Sequence, residues 1–204
     1  MGISLRQFEA MKERVGGTKR PPQPLFASTL AAPTTKRHQI VLGIDPSLRG
    51  TGFGVIRLAA RAAPQLLAQG TLHCPAGWER SRCLVRILHE LRQVIQQHHP
   101  TVCVIEGLFY AQNLQTALLM GEARGASLVA AAEAGLEIFE LAPRKVKQAI
   151  VGYGAAQKSA VAKMVQRLLS LSEPPAPDAA DALALALTYA HESGRFGLTA
   201  PKRI

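Results

Sequence analysis

The sequence lacks the features of membrane, secreted and disulfide-stabilised proteins. No apolar run approaches the roughly 18 residues of a membrane span, and the N-terminus lacks the continuous apolar core of a secretion signal. The three cysteines, Cys74, Cys83 and Cys103, form no C-x-x-C pair. That spacing argues against a cysteine zinc site and favours reduced, buried thiols. We therefore expect a cytoplasmic protein that does not engage a membrane.

Acidic and aromatic side chains are also scarce. The chain has 204 residues, and its 14 Asp and Glu oppose 24 Lys and Arg, which gives a formal net charge of +10 at pH 7. This charge predicts a polyanionic partner, of which nucleic acid is the commonest kind and anionic lipid the second. Aromatic residues make up only 5 % of the chain, so any exposed aromatic is a candidate functional residue.

Half of the net charge lies in an N-terminal segment that contains Gly and Pro pairs. Residues 1–38 carry seven Lys and Arg against two Glu, with no sustained apolar period. We expect a basic, disordered tail at 1–38, a folded domain at 39–194 and a short basic tail at 195–204. The first tail could be a solubilising arm, an extension upstream of a start at Met11, a nonspecific DNA-binding arm or a targeting peptide. Its two glutamates count against targeting.

The apolar pattern after residue 38 predicts an α/β domain. Short β-branched runs and longer segments of helical spacing follow one another in the order β-β-β-α-β-α-β-α-α-α. The predicted strands are 40–45, 52–58, 66–74, 101–108 and 136–141, and the predicted helices are 78–98, 114–134, 143–151, 157–169 and 178–191. Short turns join the first three strands, so these should form an antiparallel meander. The expected architecture is a mixed five-stranded sheet with helices on both faces.

Four carboxylates lie at the ends of these elements. Asp45 ends the first strand, Glu106 ends the fourth, and Asp178 and Asp181 open the last helix on one face. Simpler roles exist, because Asp45 before Pro46 could begin a turn and Asp178 could cap its helix. Together the four could hold Mg²⁺, which prefers oxygen ligands, and two such ions can drive phosphodiester hydrolysis. The pattern predicts a metal-dependent phosphodiesterase or phosphotransferase.

Four motifs, in order and in register, resemble one nuclease family. They are Gly43-Ile-Asp-Pro-Ser-Leu-Arg-Gly-Thr-Gly-Phe-Gly-Val55, Ile105-Glu-Gly-Leu-Phe-Tyr-Ala-Gln-Asn113, Lys147-Gln-Ala-Ile-Val-Gly-Tyr-Gly-Ala-Ala-Gln-Lys158 and Asp178-Ala-Ala-Asp-Ala-Leu-Ala184. From about residue 39 to 192 the chain resembles the RuvC Holliday-junction resolvases. That family has a ribonuclease H-like fold, which agrees with the predicted order of strands and helices.

The resemblance implies both a site and an activity. Asp45, Glu106, Asp178 and Asp181 would hold two Mg²⁺ ions, with Mn²⁺ as an alternative. A homodimer would bind a four-way DNA junction and nick two opposing strands symmetrically in recombination and repair, leaving 5′-phosphate and 3′-hydroxyl ends. A branch-migration motor complex is the implied partner, and the cytoplasmic nucleoid is the implied location.

The resemblance also assigns DNA contacts. Lys158 would contact phosphate and assist catalysis, Lys147 would contact phosphate, and Phe109 would stack on an unpaired base. Asn113 and Arg144 complete the implied DNA-binding set. Without the resemblance, the two lysines could also lie on a solvated helix face. Phe109 could be an ordinary core residue, but the sequence after it looks like the exit of a loop, where an aromatic would be exposed.

Small residues recur every four positions in the predicted helix 114–134. Ala117, Gly121 and Gly125 would permit close approach of another helix. The corresponding helix of the family contributes to a dimer interface, whereas packing onto the sheet is the alternative.

Three positions depart from the family pattern. Ser47, Gly107 and Gln112 replace the residues that are usual there, and they could change junction affinity or the preferred cleavage sequence. None of them removes a carboxylate.

Other functions are less consistent with the sequence. An RNA-processing nuclease resembling YqgF and a junction-binding scaffold that does not cut share the fold. The segment 152–159 approaches a phosphate-binding loop, but Gln157 replaces its second glycine and a helix precedes it. An actin-like kinase or ATPase would need a much longer chain.

Overall fold

The computed structural model describes residues 38–59, 62–107, 114–193 and 201–204. Eleven elements lie in these ranges. They are β1 (Ile40–Asp45), β2 (Gly50–Ala59), β3 (Ala62–His73), α1 (Arg80–His98), β4 (Val102–Glu106), α2 (Leu114–Glu133), β5 (Glu137–Leu141), α3 (Pro143–Val151), α4 (Lys158–Leu168), α5 (Pro177–Ser193) and β6 (Lys202–Arg203).

The strands form one mixed sheet in the order β3-β2-β1-β4-β5-β6. The first three strands are antiparallel neighbours, as the short turns predicted. Strands β4 and β5 run parallel to β1, so helices must connect them. The predicted fold class is confirmed, but within the described residues the sheet has six strands and not five. The sixth, β6, pairs antiparallel with β5 and lies within the segment 195–204.

Alternate side chains of the central strands enter two separate cores, one on each face of the sheet. This alternation is the period of two that an extended strand imposes. The core on the α3, α4 and α5 side receives Val41, Val102 and Val104. The core on the α1 and α2 side receives Leu42, Ile44, Cys103 and Ile105. Strands β1 and β4 are therefore buried on both faces, which explains their unbroken apolar runs.

Two smaller expectations can be compared with the fold. The three cysteines are buried and unpaired, as predicted. Among the described helices, none combines the length and apolarity needed to cross a membrane.

Candidate active site

Two of the predicted site residues end neighbouring strands. In the parallel register of β1 and β4, Ile44 lies opposite Ile105, so Asp45 and Glu106 follow at the same edge of the sheet. Their carboxyl groups are hydrogen-bonded to each other. Both come at the point where a buried apolar run reaches the edge of the core, so they are only partly shielded from solvent.

Glycines in β1 and β2 bring the remaining two carboxylates to this edge. A Cβ on Gly43 would lie 2.0 Å from the carbonyl oxygen of Ala182, and a Cβ on Gly52 would lie 2.0 Å from that of Asp178. Both obstacles are backbone atoms of α5, which cannot rotate away as a side chain could. Only glycine at these positions lets the helix lie directly on the sheet.

The N-terminal end of α5 carries Asp178, in its first turn, and Asp181, three residues later. The helix begins at Pro177, so Asp178 lies inside the first turn and is not the N-cap that the sequence allowed. A Cβ on Gly50 would lie 2.9 Å from Asp178 Oδ2, which places this carboxylate against the start of β2.

Lys158 lies beside this end of α5. Its Nζ is 2.7 Å from Asp181 Oδ2, and its side chain is 68 % exposed against 20 % for the aspartate. The hydrogen bond to Asp181 raises the pKa of Lys158 against the opposing effect of burial, and the nearby charges of Asp45 and Asp178 raise it further. An ammonium group is thus held at the site on a side chain that still reaches solvent.

The crowded carboxylates have perturbed acidities. The pKa of Asp45 is raised from 3.8 to about 8, chiefly by burial and further by repulsion from Glu106 and Asp181. Burial also raises the pKa of Glu106, although its hydrogen bond with Asp45 opposes that change. We interpret the pair as sharing one proton at neutral pH, carried by Asp45 and donated to Glu106. Such a shared proton is expected where two carboxylates are crowded together in a largely buried position.

The residues suit a divalent cation, although the described part of the chain contains no preformed cluster of three His, Cys, Asp or Glu ligands. The carboxylates are instead engaged in pairs, Asp45 with Glu106 and Asp181 with Lys158. A hard cation such as Mg²⁺ prefers this all-oxygen donor set. It would replace the shared proton and relieve the repulsion that raises the pKa of Asp45.

The predicted DNA-binding residues fall into three groups. Lys147, on α3, is close enough to the site for its charge to lower the pKa of Glu106. Arg144 lies at the start of α3, three residues before Lys147, and its Cγ packs beside Gly154 in the loop before α4. Phe109 and Asn113 lie outside the described residues, as does Gln112.

One charged pair near the site was not predicted from the sequence. Arg124 of α2 is buried and donates hydrogen bonds to the backbone carbonyl of Glu106 and to the carboxylate of Glu140 on β5. The sequence feature that could have predicted this pair is an arginine on the inward face of an alanine-rich helix, because a buried charge requires a partner.

The sheet order and the carboxylates at its edge define a nuclease of the ribonuclease H-like class. A model of the family described as crossover junction endodeoxyribonuclease RuvC matches residues 41–189. The chain therefore belongs to the RuvC family.

Relatives agree with this assignment. The crossover junction endodeoxyribonuclease RuvC of Pseudomonas entomophila is 46 % identical over 152 residues, which cover 74 % of this chain and 86 % of the relative. The protein of the same description from Akkermansia muciniphila is 46 % identical over 149 residues, covering 73 % and 89 %.

Solved structures show the same fold. T. thermophilus RuvC in complex with a Holliday junction substrate is 36 % identical, with a TM-score of 0.73, and the match covers 81 % of this chain and all of that one. The yeast mitochondrial Holliday junction resolvase Ydc2 is 11 % identical, with a TM-score of 0.52 over 72 % of this chain and 77 % of that one. The second match supports the fold alone.

Proposed function

We propose that this protein binds four-way DNA junctions and resolves them by nicking two opposing strands symmetrically, with Mg²⁺ as its metal. Membership of the RuvC family and the similarity to a RuvC bound to a Holliday junction support the proposal. The observation that carries it is the convergence of Asp45, Glu106, Asp178 and Asp181 at one edge of the sheet.

The four carboxylates would hold two Mg²⁺ ions, with Mn²⁺ as an alternative. Bound metal supplies an activated water and stabilises charge on the scissile phosphate. Asp45 would give up its shared proton when it binds metal. Glu106, at the end of the neighbouring strand β4, would bind metal beside it. Asp178 and Asp181 would bind from the N-terminal end of α5, which the glycines of β1 and β2 allow to lie against the sheet.

Lys158 would act on the phosphate. Its side chain is largely exposed, so its Nζ can leave Asp181 without losing a buried contact. Moving from Asp181 to a phosphate oxygen would free the aspartate for metal and place a positive charge where the transition state develops negative charge. Lys147 and Arg144 would bind phosphate nearby, and Phe109 and Asn113 would contact the junction. We expect binding to weaken as salt concentration rises.

Helix α2 presents a face suited to a homodimer. Leu114, Leu118 and Val129 are 74 %, 57 % and 47 % exposed. At helical spacing they share one stripe with Gly121 and Gly125, where an added Cβ would meet nothing within 4 Å.

The opposite face of α2 carries its buried residues, which include Ala123, Ser127 and Ala130. The stripe of small and apolar residues is therefore free of the sheet, contrary to the alternative that Gly121 and Gly125 pack onto it. A two-fold dimer formed there would match a junction of two-fold symmetry and supply one active site to each of two strands. A branch-migration motor complex as partner and a cytoplasmic, nucleoid-associated location are further proposals from the family.

The test is to incubate the purified protein with a synthetic four-way junction, linear duplex and structured RNA, each with and without Mg²⁺. We expect paired, symmetric nicks in the junction alone and only with Mg²⁺. Tight junction binding without nicks would support a scaffold, and cleavage of RNA instead would support the RNA-processing alternative. Repeating the assay with a chain that begins at residue 39 would test the proposed domain boundary and the role of the basic tail.

A further inference from the structure

Arg124 joins three elements of the fold through two hydrogen-bond acceptors. The residue lies on α2 and is only 8 % exposed. Its Nη1 donates to the backbone carbonyl of Glu106 at the end of β4. Its Nη2 donates to Glu140 Oε2 on β5, at 2.5 Å. A guanidinium presents its donors in a rigid fork, so both acceptors are fixed relative to each other.

The position of this contact matters because the strand ladder ends there. Glu106 is the last residue of β4, and the next amide, that of Gly107, donates to Leu141 at 2.9 Å. Anchoring the carbonyl of Glu106 restrains the peptide that follows its Cα. The backbone dihedral angles of Glu106 set the direction of its side chain, so the contact restrains the carboxylate as well.

Glu140 packs closely beside the same peptide. A Cβ on Gly107 would lie 3.1 Å from Glu140 Cγ and 3.3 Å from its Cδ. The absence of a side chain at this position, one of the three departures from the family pattern, leaves room for the carboxylate that holds Arg124.

We propose that Arg124, held by Glu140, is a positioning residue that orients Glu106 for metal binding. This inference rests on the proposed function only for the role of Glu106 as a metal ligand. Partners that orient a metal ligand commonly affect metal affinity or activity by about 10- to 100-fold.

The variant Arg124→Lys tests this role, because a single ammonium keeps the charge but not the forked geometry. Arg92→Lys is the matched control, since Arg92 of α1 pairs with Glu133 at the end of α2 through two hydrogen bonds of 2.7 Å. Mn²⁺ binding measured by electron paramagnetic resonance gives a readout that is independent of cleavage. Metal-free junction binding, single-turnover cleavage and thermal unfolding complete the comparison.

We expect Arg124→Lys to weaken Mn²⁺ binding and slow cleavage by about 10-fold or more. Metal-free junction binding should stay within about twofold of wild type, because no phosphate contact is removed. Arg92→Lys should change none of these quantities. Wild-type Mn²⁺ affinity and cleavage in folded Arg124→Lys would overturn the proposal.

Glu140→Gln decides the matter if Arg124→Lys does not fold. Glutamine keeps an oxygen acceptor for Nη2 but removes the charge. Mn²⁺ binding should therefore weaken measurably, but by less than the change of about 10-fold expected for Arg124→Lys. Unchanged Mn²⁺ binding and cleavage in that variant would overturn the proposal. Failure of the wild-type protein to cut junctions would instead count against the proposed function, while its Mn²⁺ binding would still test the role of Arg124.

Discussion

Replacing Gly52 with alanine should slow junction cleavage while leaving junction binding largely intact. The added Cβ would lie 2.0 Å from the carbonyl oxygen and 2.4 Å from the carbonyl carbon of Asp178. Real contacts of this kind are at least 3.0 Å long, so the first turn of α5 and strand β2 must separate by about 1 Å. The carboxylate of Asp178 would move away from Asp45 and Glu106 by a similar amount.

The expected effect follows from this displacement. A misplacement of about 1 Å at a catalytic centre can cost on the order of 100-fold in rate. Overpacking of this kind costs about 1–3 kcal/mol of unfolding free energy, which a typical domain survives. We therefore expect a folded protein with a lower Tm and a single-turnover cleavage rate reduced by about 100-fold.

Gly77→Ala is the control, because a Cβ there would meet nothing within 4 Å. It should match wild type in Tm, junction binding and cleavage. A Gly52→Ala protein with wild-type Tm and cleavage would refute the close contact between β2 and α5. Equal loss of binding and cleavage in a folded variant would refute the claim that the contact acts through the position of Asp178.

Three further predictions concern the protonation of Asp45, the role of Lys158 and the proposed dimer face of α2. Without metal, the free energy of unfolding should fall as pH rises from about 4 to about 8, because the raised pKa of Asp45 keeps a proton on the folded state that the unfolded state has released. Thermal unfolding in the presence of a chelator should show this dependence on pH, and Asp45→Asn should make it smaller. Lys158→Met should slow cleavage by about 100-fold without weakening Mn²⁺ binding, whereas Lys163→Met, on the same helix, should cleave normally in the same single-turnover assay. Leu118→Glu should convert a dimer to a monomer in sedimentation velocity, and an unchanged sedimentation coefficient would contradict the proposed dimer face. The control is Val85→Glu, which changes an exposed residue of α1 and should leave the sedimentation coefficient unchanged.

The sequence predicted the fold well wherever a long apolar period marks an element. The strands around Ile44 and Ile105 have unbroken apolar runs because both of their faces are buried. The sixth strand left no such signal, because Lys202–Arg203 is two charged residues long and is defined only by pairing with β5.

The placement of the carboxylates was predicted in part. A carboxylate at the end of each of two strands and two aspartates on one helix face meant that all four could converge, provided that the strands were neighbours and the last helix packed beside them. Helix α5 can lie close to the sheet because a glycine stands opposite a backbone carbonyl of the helix, as Gly52 stands opposite that of Asp178. That pairing is a tertiary contact, which no local pattern specifies.

The contact of Arg124 with the carbonyl of Glu106 illustrates the same limit. The residues are 18 positions apart and belong to different elements, so only the folded arrangement of α2 over β4 joins them. The predicted roles of Phe109 and Asn113 stay predictions, because both residues lie outside the described part of the chain.

The most direct test of the central claim is junction binding and nicking by Asp45→Asn, measured side by side with wild type in Mg²⁺. Asparagine keeps the size of the side chain but removes the charge that would bind metal. We predict that the variant binds a four-way junction as wild type does and makes no symmetric nicks. Cleavage at the wild-type rate would contradict the assignment of this carboxylate cluster as the metal-dependent active site.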